Sequence, residues 1–293
     1  MSDLDWVDLS PSRVAIGDPG RAGLEITTGP CPPRSDMPDI ELSAAENGGV
    51  VALGGSVRGL LHRRNGEVRQ DAFAYQVSGD GRWIAVVCDG VGSYGRSDEA
   101  SNLVARRVAE LHSGGSSLTE ALTVANEELR VLAEFGTPDP DIEDRDAGRM
   151  ATTVVAISVA LQDGLWLGEM CWVGDSAAWH LSPEGEWSML NDTGSGADAA
   201  LHSTATSALP HADPVFKAVP LCIDGGALFV MTDGFSNPMA WSEDVQREVA
   251  ARWSTPPDLF TFGAQVGFPR RGHMDDRTVV GLWPAADAAA VPV

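Results

Sequence analysis

TTVVAISVALQDGLWLGEMCWV, residues 152–173, holds two apolar runs, Thr152–Leu161 and Leu165–Val173, joined across Asp163-Gly164. Asp-Gly between two such runs is a strong hairpin signal, because both residues tolerate the left-handed dihedrals of a two-residue turn. A hairpin implies antiparallel pairing. Outward from it, Trp83–Cys88 (WIAVVC) is another apolar run rich in β-branched residues, and it stops at Asp89-Gly90. Ala177–Leu181 and Trp187–Leu190 flank a tight turn at Ser182-Pro183-Glu184-Gly185. Leu228–Met231 is a further strand ending near Asp233-Gly234, and Thr278–Trp283 closes the series. Glu99–Leu111 and Leu118–Ala133 carry apolar residues at helical spacing, and Trp241–Trp253 and Leu259–Gln265 read as helices. Strands in hairpins with helices in pairs predict an α+β fold of two packed antiparallel sheets covered by helices, not a doubly wound parallel sheet.

The 293 residues suffice for a large buried core. Residues 1–48, with the Pro- and Gly-rich stretch PGRAGLEITTGPCPPRSDMPD, read as a flexible or extended arm. Residues 49–285 form the expected domain, and 286–293 a tail. A formal charge of −22 argues against nucleic acid and anionic membranes. No apolar run approaches the roughly 18 residues of a membrane span, and the acidic N-terminus lacks the order of a secretory signal. A cytoplasmic location, and from the Arg, Ala and Gly bias a bacterial source, are the expectations. Cys31, Cys88, Cys171 and Cys222 form no CxxC pair, and the last three read as buried thiols.

Several aspartates share one setting, the end of an apolar strand. Asp89-Gly90 follows WIAVVC, Gly174-Asp175 follows LGEMCWV, and Asp233-Gly234 follows LFVMT. Asp275-Asp276 precedes TVVGLW, and Gln70-Asp71 precedes AFAY. One Asp-Gly is an ordinary turn former. Five such sites can converge at one sheet edge, where oxygen ligands suit paired Mg²⁺ or Mn²⁺ ions. Gly90 would let its carbonyl approach a cation. The histidines show no zinc spacing, and no nucleophile elbow, P-loop or dinucleotide fingerprint follows a strand.

The ordered set RQDAFAY (69–75), VVCDGVGSYGRSDEAS (86–101), ATTVVAISV (151–159), WVGDSAAWHL (172–181), FVMTDGFSNPM (229–239) and MDDRTVV (274–280) resembles the protein phosphatase 2C family, in a divergent bacterial branch. The resemblance implies a four-layer αββα sandwich: two antiparallel sheets flanked by helix pairs. It implies that Asp89 bridges two metals, that the Gly90 carbonyl binds one, and that Asp233 and Asp275 hold the other. Asp71 would act through water at the edge of the metal shell, and Asp175 would help hold a third, weaker ion. Asp71, Asp89, Asp233 and Asp275 are thus the expected catalytic set, and Asp276 a supporting residue. The implied activity is hydrolysis of phosphoserine and phosphothreonine in proteins, by direct attack of a water bridging two Mn²⁺ or Mg²⁺ ions. The implied partners are a phosphorylated protein and a cognate Ser/Thr kinase.

Two positions depart from the family pattern. The arginine expected five residues before Asp71 is Gly66, which leaves Arg69, Arg64, Arg63 and His62 as phosphate-binding candidates. The histidine proposed as general acid in some members is Val91. A regulatory module of the same fold, a phosphatase of small phosphoesters, and an acidic binding protein are the rival expectations. The long polar segment Asn191–Pro220 falls where the family has a flap.

Overall fold

The computed structural model of the chain describes residues 14, 16–25, 29–32, 37–91, 95–135, 149–191 and 207–285. Its strands are β1 (Ile40–Asn47), β2 (Val50–Val57), β3 (Ala72–Val77), β4 (Trp83–Cys88), β5 (Val154–Gln162), β6 (Leu165–Val173), β7 (Ala177–Leu181), β8 (Trp187–Met189), β9 (Lys217–Asp224), β10 (Ala227–Met231) and β11 (Arg277–Pro284). Its helices are α1 (Gly20–Glu25), α2 (Leu60–Asn65), α3 (Ser97–Ser113), α4 (Leu118–Phe135), α5 (Asp233–Ala240), α6 (Glu243–Trp253) and α7 (Leu259–Val266). One sheet runs β1-β2-β11-β10-β7-β8 and the other β3-β4-β5-β6-β9, all neighbours antiparallel.

The central strands are apolar on both faces, and the structure shows why. In β4, Ile84, Val86 and Cys88 face α3 and α4, while Trp83, Ala85 and Val87 face the opposite sheet. In β10, Ala227, Phe229 and Met231 lie against α5–α7, while Leu228 and Val230 fill the space between the sheets. Three apolar layers therefore separate four structural ones, giving an αββα sandwich. The Asp163-Gly164 hairpin forms with φ of 50° and 81°. No described helix is long and apolar enough to cross a membrane.

Residues 40–47, expected within the arm, form a strand of the sheet. β1 pairs along its whole length with β2, from Ile40 opposite Val57 to Asn47 opposite Val50. Upstream, Ile16 is 1% exposed and sits in the core beneath α5–α7. Burying one such side chain contributes roughly 1.5–3 kcal/mol, enough to anchor a short segment. Asp18 follows, accepting from Arg271 N at 2.9 Å through its carbonyl. One plug and one edge strand turn the expected arm into part of the domain. Cys222 also departs from expectation, lying exposed on β9. Positions 192–206 of the expected flap, and the tail 286–293, lie outside the described residues.

Candidate metal centre

Strand register carries the aspartates to one end of the sandwich. Ala72 lies opposite Cys88, Val87 opposite Val155, and Val154 opposite Val173. The start of β3 (after Asp71), the end of β4 (before Asp89) and the end of β6 (before Asp175) therefore share an edge. In the other sheet Met231 lies opposite Val279, which puts Asp233 and Asp275 together at one end. The two edges meet where Thr232 Oγ1 donates to Asp71 Oδ2 at 2.7 Å.

Glycines allow that meeting. A Cβ on Gly234 would lie 1.9 Å from the Asp276 carbonyl oxygen, and one on Gly90 2.6 Å from that of Gln70. On Gly59 it would fall 2.3 Å from the Asp275 carbonyl carbon. None of the three uses a left-handed φ. These glycines serve close approach between chain segments, not turn geometry, so the turn-former explanation of the Asp-Gly pairs fails. The packing also supplies a reason for Gly90 that needs no cation.

Asp233 is the first residue of α5, where the helix dipole favours a carboxylate. Asn237, one turn on, donates Nδ2 to its Oδ2 at 3.1 Å. Phe235 of α5 stacks on Trp253 at 5.1 Å and 9°, fixing the helix on the core. Asp89 ends β4, and its carbonyl accepts from Thr153 N at 2.8 Å and Thr152 Oγ1 at 2.9 Å. Thr232, Asn237 and Thr152 went unnoticed in the sequence. An Asn four residues after Asp233 was the one legible signal among them.

The carboxyls crowd one another. Burial pushes Asp89 well above the usual carboxylate range, with Asp71, Asp233 and Asp275 adding repulsion. Burial also raises Asp71, helped by Asp276 and Asp275. Asp233 is pushed up to about 6 by burial, Asp175 and Asp275. Asp275 is exposed as a residue, yet burial of its carboxyl and the charge of Asp276 raise it against the opposing pull of His62. Asp89 is raised and Asp233 lowered by their mutual side-chain contact, as for two carboxyls brought together at one site.

Beside this cluster lies a different arrangement. Asp276 Oδ1 accepts from Gly59 N at 2.6 Å, and Oδ2 from Gln70 N at 2.5 Å. His62 Nδ1 lies 2.9 Å from Asp276 Oδ1, an ion pair whose angle falls short of a well-formed hydrogen bond. Burial pulls His62 down, but the contact with Asp276 and the charges of Asp276, Asp275 and Glu67 outweigh it and take the imidazole to about 9. His62, Asp275 and Asp276 offer three donor atoms within 4.8 Å of one another. Without a metal, the raised imidazole is protonated and pairs with Asp276. Asp71, Asp89, Asp233 and Asp275, with Asp175 just past the end of β6, offer oxygen ligands of the kind that divalent cations take.

The phosphate-binding candidates separate. Arg69 is 1% exposed and donates Nη2 to Glu41 Oε2 at 2.6 Å and Nη1 to Ser56 O at 3.4 Å, so its guanidinium is engaged away from the carboxyls. β3 begins only at Ala72, so no strand alternation carries Arg69 to the side of Asp71. Arg64 is exposed on α2. His62 is taken by Asp276. Arg63 alone of the four lines a small cleft shared with Asp275, Arg58, Arg277 and His273.

A family model for protein phosphatase 2C matches residues 58–258. The chain belongs to that family. The matched range holds Asp71, Asp89, Asp175 and Asp233, while Asp275 lies beyond it. No curated protein matches the sequence. Among solved structures, a serine/threonine phosphatase of S. agalactiae is 20% identical over 83% of this chain and 99% of its own, with a TM-score of 0.56. Serine/threonine phosphatase Stp1 of Staphylococcus aureus is 12% identical over 87% and 96%, at 0.55. RsbX, solved in complex with magnesium, is 14% identical over 83% and 98%, at 0.51. At such identities the likeness establishes the fold, and members of the phosphatase 2C family depend on Mg²⁺ or Mn²⁺.

Proposed function

We propose that this protein is a metal-dependent phosphoprotein phosphatase hydrolysing phosphoserine and phosphothreonine. The observation that carries the proposal is the crowding of Asp71, Asp89, Asp233 and Asp275 at the joined ends of two sheets, where burial raises all four carboxyls and Asp275 adds repulsion to the other three. Such a cluster disfavours the fold until cations neutralise it. Asp89, Asp233 and Asp275 would hold the two principal ions, Mn²⁺ or Mg²⁺, with the Gly90 carbonyl, Asp71 through water, and Asp175 as further oxygen donors. Such ions, when bound, lower the pKa of a water and neutralise phosphoryl charge.

The chain's own groups do the rest. Thr232 holds the Asp71 carboxyl in register, and Asn237 fixes the Asp233 side chain. Asp276 ties Gly59 and Gln70 so that α2 and the approach to β3 keep their places around the site. Arg63, which lines the cleft with Asp275, would be the guanidinium that meets a phosphate oxygen, a task Gly66 cannot perform. The bacterial serine/threonine phosphatases of the same fold support a phosphorylated protein as substrate; a Ser/Thr kinase would be its counterpart.

Hydrolysis of p-nitrophenyl phosphate should require Mn²⁺ or Mg²⁺ and stop in EDTA. Turnover of a phosphoserine peptide under the same conditions should follow it. Full activity in metal-free buffer would sink the assignment, and metal-dependent turnover confined to small phosphoesters would move the substrate class.

A further inference from the structure

The cleft that Arg63 shares with Asp275 is small, about 30 Å³. One water needs roughly 10–15 Å³ on this scale, so the cleft has room for about two oxygen-sized groups. Its lining comes from two stretches of chain, 57–63 with Arg63 and 267–277 with Pro269 and Asp275. What fits there depends on how these two stretches are held against each other. The N-terminal segment touches both.

Ile16 anchors that segment in the core. Beyond it the chain lies along Pro269–Arg271. A Cβ on Gly20 would stand 3.0 Å from Arg271 Cβ, and one on Gly23, in α1, 2.6 Å from Pro269 Cβ. The chain then meets the last turn of α2. A Cβ on Gly29 would stand 1.6 Å from the Arg63 carbonyl oxygen, and one on Gly66 3.0 Å from Pro30 Cβ. Gly29 has no left-handed φ, so glycine serves there for close approach alone. The segment is thus a strap, resting on one cleft stretch at Pro269 and on the other at Arg63. It precedes residue 58, where the family match begins.

We propose that Gly29 and Pro30 are positioning residues, which clamp the last turn of α2 and through it hold Arg63 where a phosphate oxygen meets it. The inference rests on the phosphatase assignment above and on Arg63 as its phosphate-binding guanidinium. With six residues, α2 is too short to be stable on its own. Its start is fixed, Gly59 N donating to Asp276 Oδ1 at 2.6 Å and Leu61 N to Met274 O at 2.9 Å. At its end Glu67 N donates to His62 O at 2.9 Å, but Gly66 N reaches Arg63 O only at 3.3 Å. That Arg63 carbonyl is the atom Gly29 packs on. The strap therefore supports α2 where its own bonding is longest. Precision matters there, since a displacement of about 1 Å in a positioning group can cost on the order of a hundredfold in rate.

Hydrolysis of p-nitrophenyl phosphate and its inhibition by inorganic phosphate, both in saturating Mn²⁺, test the link. Gly29→Ala should lower kcat/KM about fivefold or more and weaken phosphate inhibition by a similar factor. In an Arg63→Ala background the same substitution should change either by less than about twofold, because two residues that act through one group are not additive. Hydrogen exchange across residues 60–66 should quicken about tenfold in Gly29→Ala. An unchanged kcat/KM in Gly29→Ala, or an equal loss in both backgrounds, overturns the positioning role, and unchanged exchange overturns the clamp. Should Gly29→Ala not fold, Pro30→Gly, at an exposed position, decides by the same measures. Wild-type protein that hydrolyses no p-nitrophenyl phosphate defeats the phosphatase assignment, and an Arg63→Ala that loses nothing defeats the guanidinium's role. Exchange across 60–66 needs no turnover, so it decides the clamp separately.

Discussion

Asp276 and Asp89 lie at the same end of the sandwich, both in segments that glycines bring into close contact, and their surroundings differ in kind. Around Asp276 the chain supplies two backbone N–H donors and a protonated His62. Around Asp89 it supplies Asp71, Asp233 and Asp275. The first is a solved electrostatic problem, the second an open one. Carboxylates whose charge is met by a cation and backbone donors hold a loop together, whereas carboxylates with only neutral donors and other carboxyls around them wait for a cation. Asp276 is 2% exposed and Asp89 half-buried, so exposure differs too, but it is the partners that set the charge balance.

The sharpest break between the two regions comes from removing one charge in each. Asp89→Asn and Asp233→Asn should each lower kcat/KM by about a thousandfold or more at low metal, since a ligand is lost. Melting temperature in EDTA should hold or rise, because a repulsive partner has gone. Asp276→Ala should do the reverse in character. It strands Gly59 N, Gln70 N and the His62 cation in a buried place, which costs about 3–5 kcal/mol of stability by urea titration. If Asp276→Ala instead kept its stability and lost only activity, Asp276 would belong with the ligands.

Titration separates the regions by pH window. A carboxyl whose folded pKa exceeds its unfolded value binds more protons folded than unfolded, so stability falls as pH rises between the two. Asp233, raised from 3.8 to about 6, should make the metal-free protein lose on the order of 2–3 kcal/mol across that interval. Asp71 and Asp89 shift the same way and extend the fall upward. His62, raised from 6.5 to about 9, contributes stability that is full below 6.5 and lost as pH climbs to about 9. Saturating Mn²⁺ should abolish the acid-side fall and leave the alkaline one. Urea midpoints from pH 4 to 9, with and without Mn²⁺, check both limbs, and an unchanged acid limb in Mn²⁺ would show the cluster binds no ion.

What the sequence disclosed follows from how strongly each segment is patterned. β4, β5 and β6 are buried on both faces and read as unbroken apolar runs. α3 and α4 carry the helical period because one stripe of each packs on the sheet. α5 stayed hidden, being eight residues long with Pro238 inside. β1 stayed hidden because its burial has no clean alternation and its sequence, IELSAAEN, shows no apolar face. β9 carries Pro220 and pairs only at the edge. Ile16 is a single plug with no period to announce it. The aspartates were legible as a set, but the glycines beside them were legible only as turns, since close approach depends on what the fold brings opposite.

The smallest expected effect applies the same distinction to cations. Arg69 resembles Asp276: buried, with named partners in Glu41 and Ser56. Arg63, half-buried on α2, lines the small cleft that Asp275 also lines. Arg69→Ala should therefore remove about 1–2 kcal/mol of stability through lost hydrogen bonds and packing of its stem. Its kcat/KM for a phosphopeptide should stay within about twofold. Arg63→Ala should lower kcat/KM roughly tenfold, about 1.4 kcal/mol, with melting temperature nearly unchanged, as expected for a guanidinium that meets a phosphoryl oxygen. Arg64→Ala, at an exposed position, is the control and should change neither. A tenfold loss in Arg69→Ala at full stability would mean that its bond to Glu41 opens when substrate binds. Partners seen in the resting fold would then not suffice to sort structural charges from functional ones.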